Sequence, residues 1–497
     1  MFCDSKNDPD EKHPNVNICE VCTGQPGTLP VANTDAIKKT ILFGMALNCR
    51  IAGHTFFERK NYFYPDLPKG YQISQYQAPL CTEGRLDIGN PPSRKASEGS
   101  KRIRIRRIHL EEDTGRLLHD PLGKFSLIDF NRAGVPLLEL VTEPDLKSGE
   151  EVRQFGEELQ MILRYLGISD ADMQKGQMRI EVNISLREKL TSQIQNSKFK
   201  IQNLGNKVEL KNINSFKFAE QAVDYEIKRQ TEVLEEGKKV IQETRGWDEI
   251  NQKTFSQRIK EEAQDYRYFP EPDLPPIDTK GLDLDGIRAM LVELPSQRRE
   301  RFKKQYNLPE HDIEVLTVSK QLGDYFEKVA SELKEWEKSI NYKRSPITNS
   351  EIENRLVKLA ANYLITELAK LLYERGTGVE EMENIKITPE NFAEFIVRIY
   401  HQEVSSSGAQ MLLKEMFETG EDSSVIIEKK DLAQVSDVEE LVKTAKEVIV
   451  ENPKPVEDYK KGKKESLQFL VGLVMKKTRG KANPQVAREV LERELGI

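Results

Sequence analysis

Short runs in which apolar and polar residues alternate dominate the first half of the chain. Phe125-Ser126-Leu127-Ile128-Asp129-Phe130 and the stretch from Met178 to Leu186 follow a period of two, which predicts strands. Elsewhere the apolar spacing lengthens to three and four. Ile37, Ile41, Met45 and Cys49 form one stripe of a helix that Asn33 or Thr34 can cap, and Ser148 to Leu166 and Phe216 to Glu236 are further helical stretches. This mixture predicts an α+β domain over residues 1–278. Its end is marked by Phe269-Pro270-Glu271-Pro272-Asp273-Leu274-Pro275-Pro276, which can continue neither a helix nor a central strand.

Beyond that segment the pattern is helical. Asp285 to Leu294, Ser296 to Tyr306 and His311 to Leu333 predict the helices of a connecting domain over residues 279–344. Thr348 and Glu351 have capping-box spacing ahead of a helix whose apolar residues include Ile352, Leu356, Leu359, Tyr363, Leu364 and Leu371. Thr388-Pro389-Glu390 and Ser436-Asp437-Val438-Glu439 open two more helices, which makes residues 345–497 a separate all-helical domain.

Composition adds bounds to this plan. The 497 residues suggest roughly three domains at about 150 residues each. Charged residues make up 32% of the chain and hydrophobic ones 37%, and the net charge is −7. The longest apolar stretches, such as Ser466 to Met475, fall well short of the ~20 residues that span a bilayer. Met1 to Lys6 carries no basic-then-apolar leader, so the expectation is a cytoplasmic protein without a secretory signal. Five cysteines, all within the first 81 residues, argue against a disulfide framework. Cys19-Glu20-Val21-Cys22 has the spacing of a zinc knuckle and Cys3 can add a third ligand; the alternative is three free thiols.

Three segments could carry chemistry. Arg59 to Gln72 mixes aromatics with Arg, Lys and Asn, which can stack a base or simply pack as a loop on a sheet. Lys101 to Asp113 sets Arg104, Arg106 and Arg107 at one end and Glu111 and Glu112 at the other, an order that suits a polyphosphate beside a divalent cation, or else a solvated strand. Apolar parity shifts within it, from Ile103 and Ile105 to Ile108 and Leu110, which predicts a bulge or an end of pairing at Arg106-Arg107. In the third segment Glu139 interrupts the apolar run from Val135 to Val141. A carboxylate in a buried strand is costly unless it is paired or metal-bound, so Glu139 is the best ligand candidate.

The wording of these segments resembles one family. Cys19-Glu20-Val21-Cys22-Thr23-Gly24-Gln25-Pro26-Gly27, Arg59-Lys60-Asn61-Tyr62-Phe63-Tyr64-Pro65-Asp66, His109-Leu110-Glu111-Glu112-Asp113, Asn131 to Asp145, Val208 to Asn212, Asp265 to Asp273, Phe469 to Gly472 and Lys481 to Gln485 are similar in order and content to the GatB family, the B subunits of the tRNA-dependent Asp/Glu amidotransferases. The resemblance covers essentially the whole chain. It implies a cradle-type kinase domain, a helical linker domain and a YqeY-like tail that grips tRNA. It also implies ATP and Mg²⁺ chemistry on the side-chain carboxylate of Glu-tRNA(Gln) or Asp-tRNA(Asn), with ammonia from an amidase-type A subunit and a small C subunit as brace.

On this resemblance Glu111, Glu112 and Glu139 are expected to bind Mg²⁺, with Glu112 and Glu139 favoured as catalytic. Arg104, Arg106 and Arg107 are expected phosphate partners by nearness in sequence, and Asp265, Arg267 and Tyr268 match a family motif without an assigned role. Two departures stand out. Ser5 occupies the place of a fourth zinc cysteine, with His13 in the loop between the cysteines. The family's usual first strand, I-G-L-E-x-H, has no counterpart, so either Met1 is an internal methionine or the kinase site lacks part of its ligands. That opens a rival expectation, a catalytically impaired tRNA-binding assembly subunit; a free-standing RNA-binding protein is a third. Lys460, Lys461, Lys463, Lys464, Lys476, Lys477, Arg479 and Lys481 concentrate positive charge near the end of an acidic chain, as a tRNA-facing patch or a solvated helix face would.

Overall fold

A computed structural model describes residues 1–89, 100–120, 122–187, 205–259, 266–339, 349–430, 432, 438–463, 465–478, 482 and 484–496. The chain forms two compact units, Met1–Leu294 and Pro295–Ile497.

The first unit opens with α1 (Thr34–Ala46), whose N-cap Asn33 accepts hydrogen bonds from the backbone N–H groups of Asp35 and Ala36. Then follow β1 (Arg50–Ile51), β2 (His54–Thr55), β3 (Glu58–Asn61), β4 (Tyr71–Ser74), β5 (Cys81–Ile88) and β6 (Lys101–Glu112). After β6 come the hairpin β7 (Arg116–His119) and β8 (Ser126–Asp129), then β9 (Pro136–Thr142) and α2 (Gly149–Tyr165). The remaining elements are β10 (Val182–Ile184), β11 (Val208–Lys211), α3 (Phe216–Glu235), β12 (Glu243–Asp248), β13 (Lys253–Ile259), β14 (Phe269–Pro270), β15 (Ile277–Asp278) and α4 (Leu284–Ala289).

An antiparallel sheet in the order β1-β5-β6-β9 is the centre of this unit. Ile103, Ile105, Ile108 and Leu110 of β6 bury against Ile37 and Ile41 of α1 and Phe155, Leu159 and Ile162 of α2, and Met45 and Cys49 pack at the margin of the same core. The apolar stripe is therefore real, although the helix ends at Ala46 and Cys49 follows it. The parity shift read on β6 is a register shift against β9 between Ile105 and Arg107. A second sheet, β10-β11-β12-β13, carries α3 on a smaller core that includes Val208, Leu210, Ala219, Val223 and Trp247. Of the strand expected over Met178 to Leu186, Val182–Ile184 pairs with β11, and the Arg179 side chain ahead of it reaches Asp113. Phe269–Pro270 pairs with β3 at the outside of a three-stranded sheet, an edge position where proline's missing donor costs nothing.

In the second unit the Thr388 side chain accepts from the Asn391 N–H and Pro389 opens Pro389–Tyr400, as its sequence predicts. Asn349–Tyr363 runs through a π turn, Leu364–Leu368, into Ala369–Glu374. One core joins Phe302, Phe326 and Leu333 to Leu356, Phe395 and Met416, so helices expected in a connecting domain share their interior with the helices after residue 349, while Ile287 of α4 belongs to the first unit. Helices Val438–Glu451, Glu465–Lys477 and Pro484–Glu494 bury a core of their own around Leu441, Leu470 and Leu491. Thr348 and Ser436 lie outside the described residues. No helix among the described residues is long and apolar enough to cross a membrane.

Candidate metal and phosphate site

Successive side chains of a strand point to opposite faces, so Arg107, His109 and Glu111 of β6 share one side and Leu110 and Glu112 the other. The register with β9 sets Glu139 directly across from His109. As a result one ligand atom from each of His109, Glu111 and Glu139 lies within 4.8 Å of the others. His109 Nε2 is 3.5 Å from Glu111 Oε2 and 3.9 Å from Glu139 Oε2. The Ser74 hydroxyl donates to Glu111 Oε2 at 3.0 Å. His109 and Glu111 are buried, whereas the Glu139 side chain is 42% exposed. Burial pushes the Glu111 carboxyl up, but the His109 hydrogen bond, the Lys60 charge and Ser74 outweigh it and hold the group below the usual carboxylate range.

The sequence reading of Glu139 needs correcting in its reason. β9 is an edge strand, half-buried along its whole length, so Glu139 is not a carboxylate sealed in a core. Its position opposite His109, and not its burial, marks it as a ligand candidate. Glu112 is a second correction. It is fully enclosed on the other side of β6, where Lys69 Nζ donates at 2.5 and 2.6 Å and the Ile73 N–H at 2.8 Å. Burial raises its pKa despite Lys69. Glu112 therefore does not join Glu111 and Glu139, because neighbours on a strand cannot face the same way.

The three arginines also divide. Arg104 forms a two-point pair with Asp145 and Arg106 with Glu143, all at 2.8 to 3.0 Å, so the Nε and Nη2 of each already face a carboxylate. Arg107 lies with its guanidinium 4.8 Å from the Tyr76 ring centroid and Nη2 3.7 Å from Glu139 Oε1. Its Nε is buried with no partner among the described residues. Tyr76 in turn stacks on Tyr268 at 4.8 Å and 15°. Arg267 lies on the same closing segment with φ 44°, and Asp265 falls outside the described residues.

The aromatic segment is a hairpin, β3 to β4, rather than a packed loop throughout. Arg59 pairs with Glu271 at 2.6 Å and lies over Tyr71, and Lys60 sits 5.3 Å from the Tyr266 ring centroid, while Phe63 and Tyr64 at its tip are exposed. Cys3, Cys19 and Cys22 do converge: Cys3 Sγ is 3.3 Å and Cys19 Sγ 3.6 Å from Cys22 Sγ, and the Cys22 thiol donates to Ser5 at 3.5 Å. The hydrogen bond with Cys22 draws Cys3 far below the usual thiol range and pushes Cys22 above it. His13 pairs with Glu11 instead.

Of the tail cations, Lys463 pairs with Asp458 at 3.2 Å, and Lys477 with Glu447 at 3.1 Å and Glu451 at 2.7 Å. Lys476 is exposed and pairs with no carboxylate among the described residues. Lys464, Arg479 and Lys481 lie outside those residues. Sequence reasoning passed over His109, Ser74 and Tyr76. The His-x-Glu spacing of His109 and Glu111 was the signal for the first; nothing local signals the others, which arrive through strand pairing.

Against known proteins, residues 1–282 match the family model for the GatB/GatE catalytic domain and residues 346–495 that for the GatB domain. The aspartyl/glutamyl-tRNA(Asn/Gln) amidotransferase B subunit of Caldicellulosiruptor saccharolyticus is 47% identical over 482 residues, 97% of this chain and 93% of that protein. The Caldanaerobacter subterraneus protein of the same description is also 47% identical over 482 residues, with the same coverage of both chains. Its counterpart from Thermotoga maritima is 44% identical over 501 residues, covering 99% and 95%. With both matched regions in order and relatives this similar along nearly the full length, the chain belongs to the GatB family.

Proposed function

We propose that this chain is the B subunit of a tRNA-dependent amidotransferase, acting on the side-chain carboxylate of Glu-tRNA(Gln) or Asp-tRNA(Asn) with ATP, alongside an amidase-type A subunit that supplies ammonia and a small C subunit. A carboxylate oxygen takes the γ-phosphoryl of ATP and ADP leaves; ammonia then attacks the acyl carbon, the carbon–oxygen bond to phosphate breaks, and the amide forms with loss of a proton. Phosphoryl transfer asks for positioned charge more than for covalent help from the protein. The observation that carries the reading is the convergence of His109, Glu111 and Glu139 beside Arg107.

These residues fit a divalent cation. Three donors on a common centre at about 2.1 Å lie roughly 3 to 4.2 Å apart, and the spacings of 3.5 and 3.9 Å fall in that range. His109, Glu111 and Glu139 would hold such a cation and would leave it open to water and phosphate oxygens. When bound, Mg²⁺ would neutralise charge developing on the phosphate oxygens. The chain's own part is positional. Ser74 fixes one oxygen of Glu111, the buried β6 face keeps bulk water from His109, and Tyr76 holds the guanidinium of Arg107 beside the carboxylates. The three thiols supply three of the four ligands of a closed structural zinc site, with the Ser5 hydroxyl 3.5 Å from Cys22 Sγ, and we assign Zn²⁺ to them on that basis.

The test is glutamine- and ATP-dependent amidation by the complex reconstituted with its A and C partners. Glu139→Gln and Glu111→Gln should each lower the rate by about 10²-fold or more, as expected for loss of a directly acting group. Unchanged amidation in both variants would overturn the site. A complex that binds tRNA but never amidates it would leave the assembly role in place of the enzyme.

A further inference from the structure

We infer that Arg107 is the anion seat of this site, and that divalent-cation binding at His109, Glu111 and Glu139 releases it for that task. Among the β6 arginines Arg104 and Arg106 spend their guanidinium groups on Asp145 and Glu143. The Arg107 guanidinium makes no hydrogen bond among the described residues: Nε is buried without an acceptor, and Glu139 at 3.7 Å is beyond hydrogen-bonding distance. Buried donors left unpaired are costly, so the site is incomplete without an acceptor. The Tyr76 face, backed by Tyr268, fixes the plane of the guanidinium in advance, which suits two-point binding of a phosphate or carboxylate.

Glu139 links the two events. The same carboxylate faces Arg107 through Oε1 and His109 through Oε2. Once it serves a cation, its negative charge is matched, and Arg107 is left with an unbalanced positive charge. An anion then binds more tightly with the cation present, and by reciprocity the cation binds more tightly with the anion present. The ligand chemistry is a pair of anionic oxygens, from the transferring phosphoryl group or from the substrate's side-chain carboxylate. This inference rests on the cation reading of the cluster proposed above.

Mn²⁺ affinity of the full complex, read by electron paramagnetic resonance with and without inorganic phosphate or acetate, tests it. In the unsubstituted protein phosphate or acetate should tighten Mn²⁺ binding about fivefold or more; which of the two does so identifies the source of the oxygens. Arg107→Gln should abolish the tightening while Mn²⁺ still binds. Arg107→Lys, which keeps the charge but not the planar fork, should retain a part of it, and Arg106→Gln all of it. Equal tightening in Arg107→Gln, or no tightening by either anion in the unsubstituted protein, overturns the inference. Mn²⁺ binding that Glu139→Gln leaves untouched overturns the cation reading itself, a result distinct from the other two.

Discussion

Glu111 and Glu112 show how far two adjacent carboxylates can diverge. Glu111 reaches Ser74 and His109, whereas Glu112 is enclosed with Lys69 and the Ile73 N–H. The Lys69 and Glu112 side chains are 9% and 2% exposed, so removing one partner strands a charge away from water. Glu112→Leu and Lys69→Met should therefore each destabilise by about 3–5 kcal/mol, while the double variant Lys69→Met/Glu112→Leu recovers most of the loss. Urea unfolding of the three proteins checks this, and additive losses would refute it. Both carboxylates were visible in the sequence as a pair. Which of them faces the site was not, because the answer depends on strand parity after the register shift at Arg107 and on the partner strand that brings Glu139 across from His109. Burial was misjudged at Glu139 for a related reason: an apolar run looks the same on an edge strand as on a central one.

At the scale of elements, the second sheet is tied to its helix by charge as well as by apolar packing. Glu226 of α3 is buried and faces Arg229 on its own helix, Arg245 on β12 and Thr254 on β13, whose hydroxyl donates to it at 2.5 Å, while Arg229 also reaches Glu243 of β12. Burial pushes the Glu226 carboxyl up, but hydrogen bonds from Arg229, Thr254 and Gln230 outweigh it and leave it below the ordinary glutamate range. A depressed folded pKa means that the unfolded chain binds the proton first. The stability it contributes is then present above the ordinary glutamate value and is lost as pH falls through the lower folded one. In Glu226→Gln the denaturation midpoint should fall less steeply over that acid window than in the unsubstituted protein, with Arg229 and Arg245 still paired to Glu243. Parallel acid limbs for the two proteins would refute the assignment. The helix itself was legible from its period, as was the capping by Thr388 in the second unit. The sheet beneath α3 was not, since β11 and β12 pair in parallel across the whole of that helix and no local pattern announces such a partner.

Over the whole molecule, the −7 net charge is an average that conceals local differences. Helical periodicity separated a mixed first half from a helical second half correctly. The division into compact units falls at Leu294 and Pro295 because the residues from Phe302 to Leu333 spend their apolar faces on the helices that follow. Charge in the tail needs the same structural reading. Lys476 and Lys477 are consecutive, yet Lys477 is already shared between Glu447 and Glu451 of the helix Val438–Glu451, and those contacts raise its pKa. An exposed lysine with no carboxylate partner neutralises a phosphate and displaces the cations condensed on the nucleic acid, whereas a paired lysine must first give up its carboxylates. If the tail grips tRNA, Lys476→Gln should weaken binding more than Lys477→Gln does. It should also lower the slope of log affinity against log salt by about 1. Filter retention of labelled tRNA over a salt series measures both quantities. Equal losses from the two variants would mean that the ion pairs of Lys477 open at no cost, and an unchanged slope for Lys476→Gln would remove this helix from the tRNA surface.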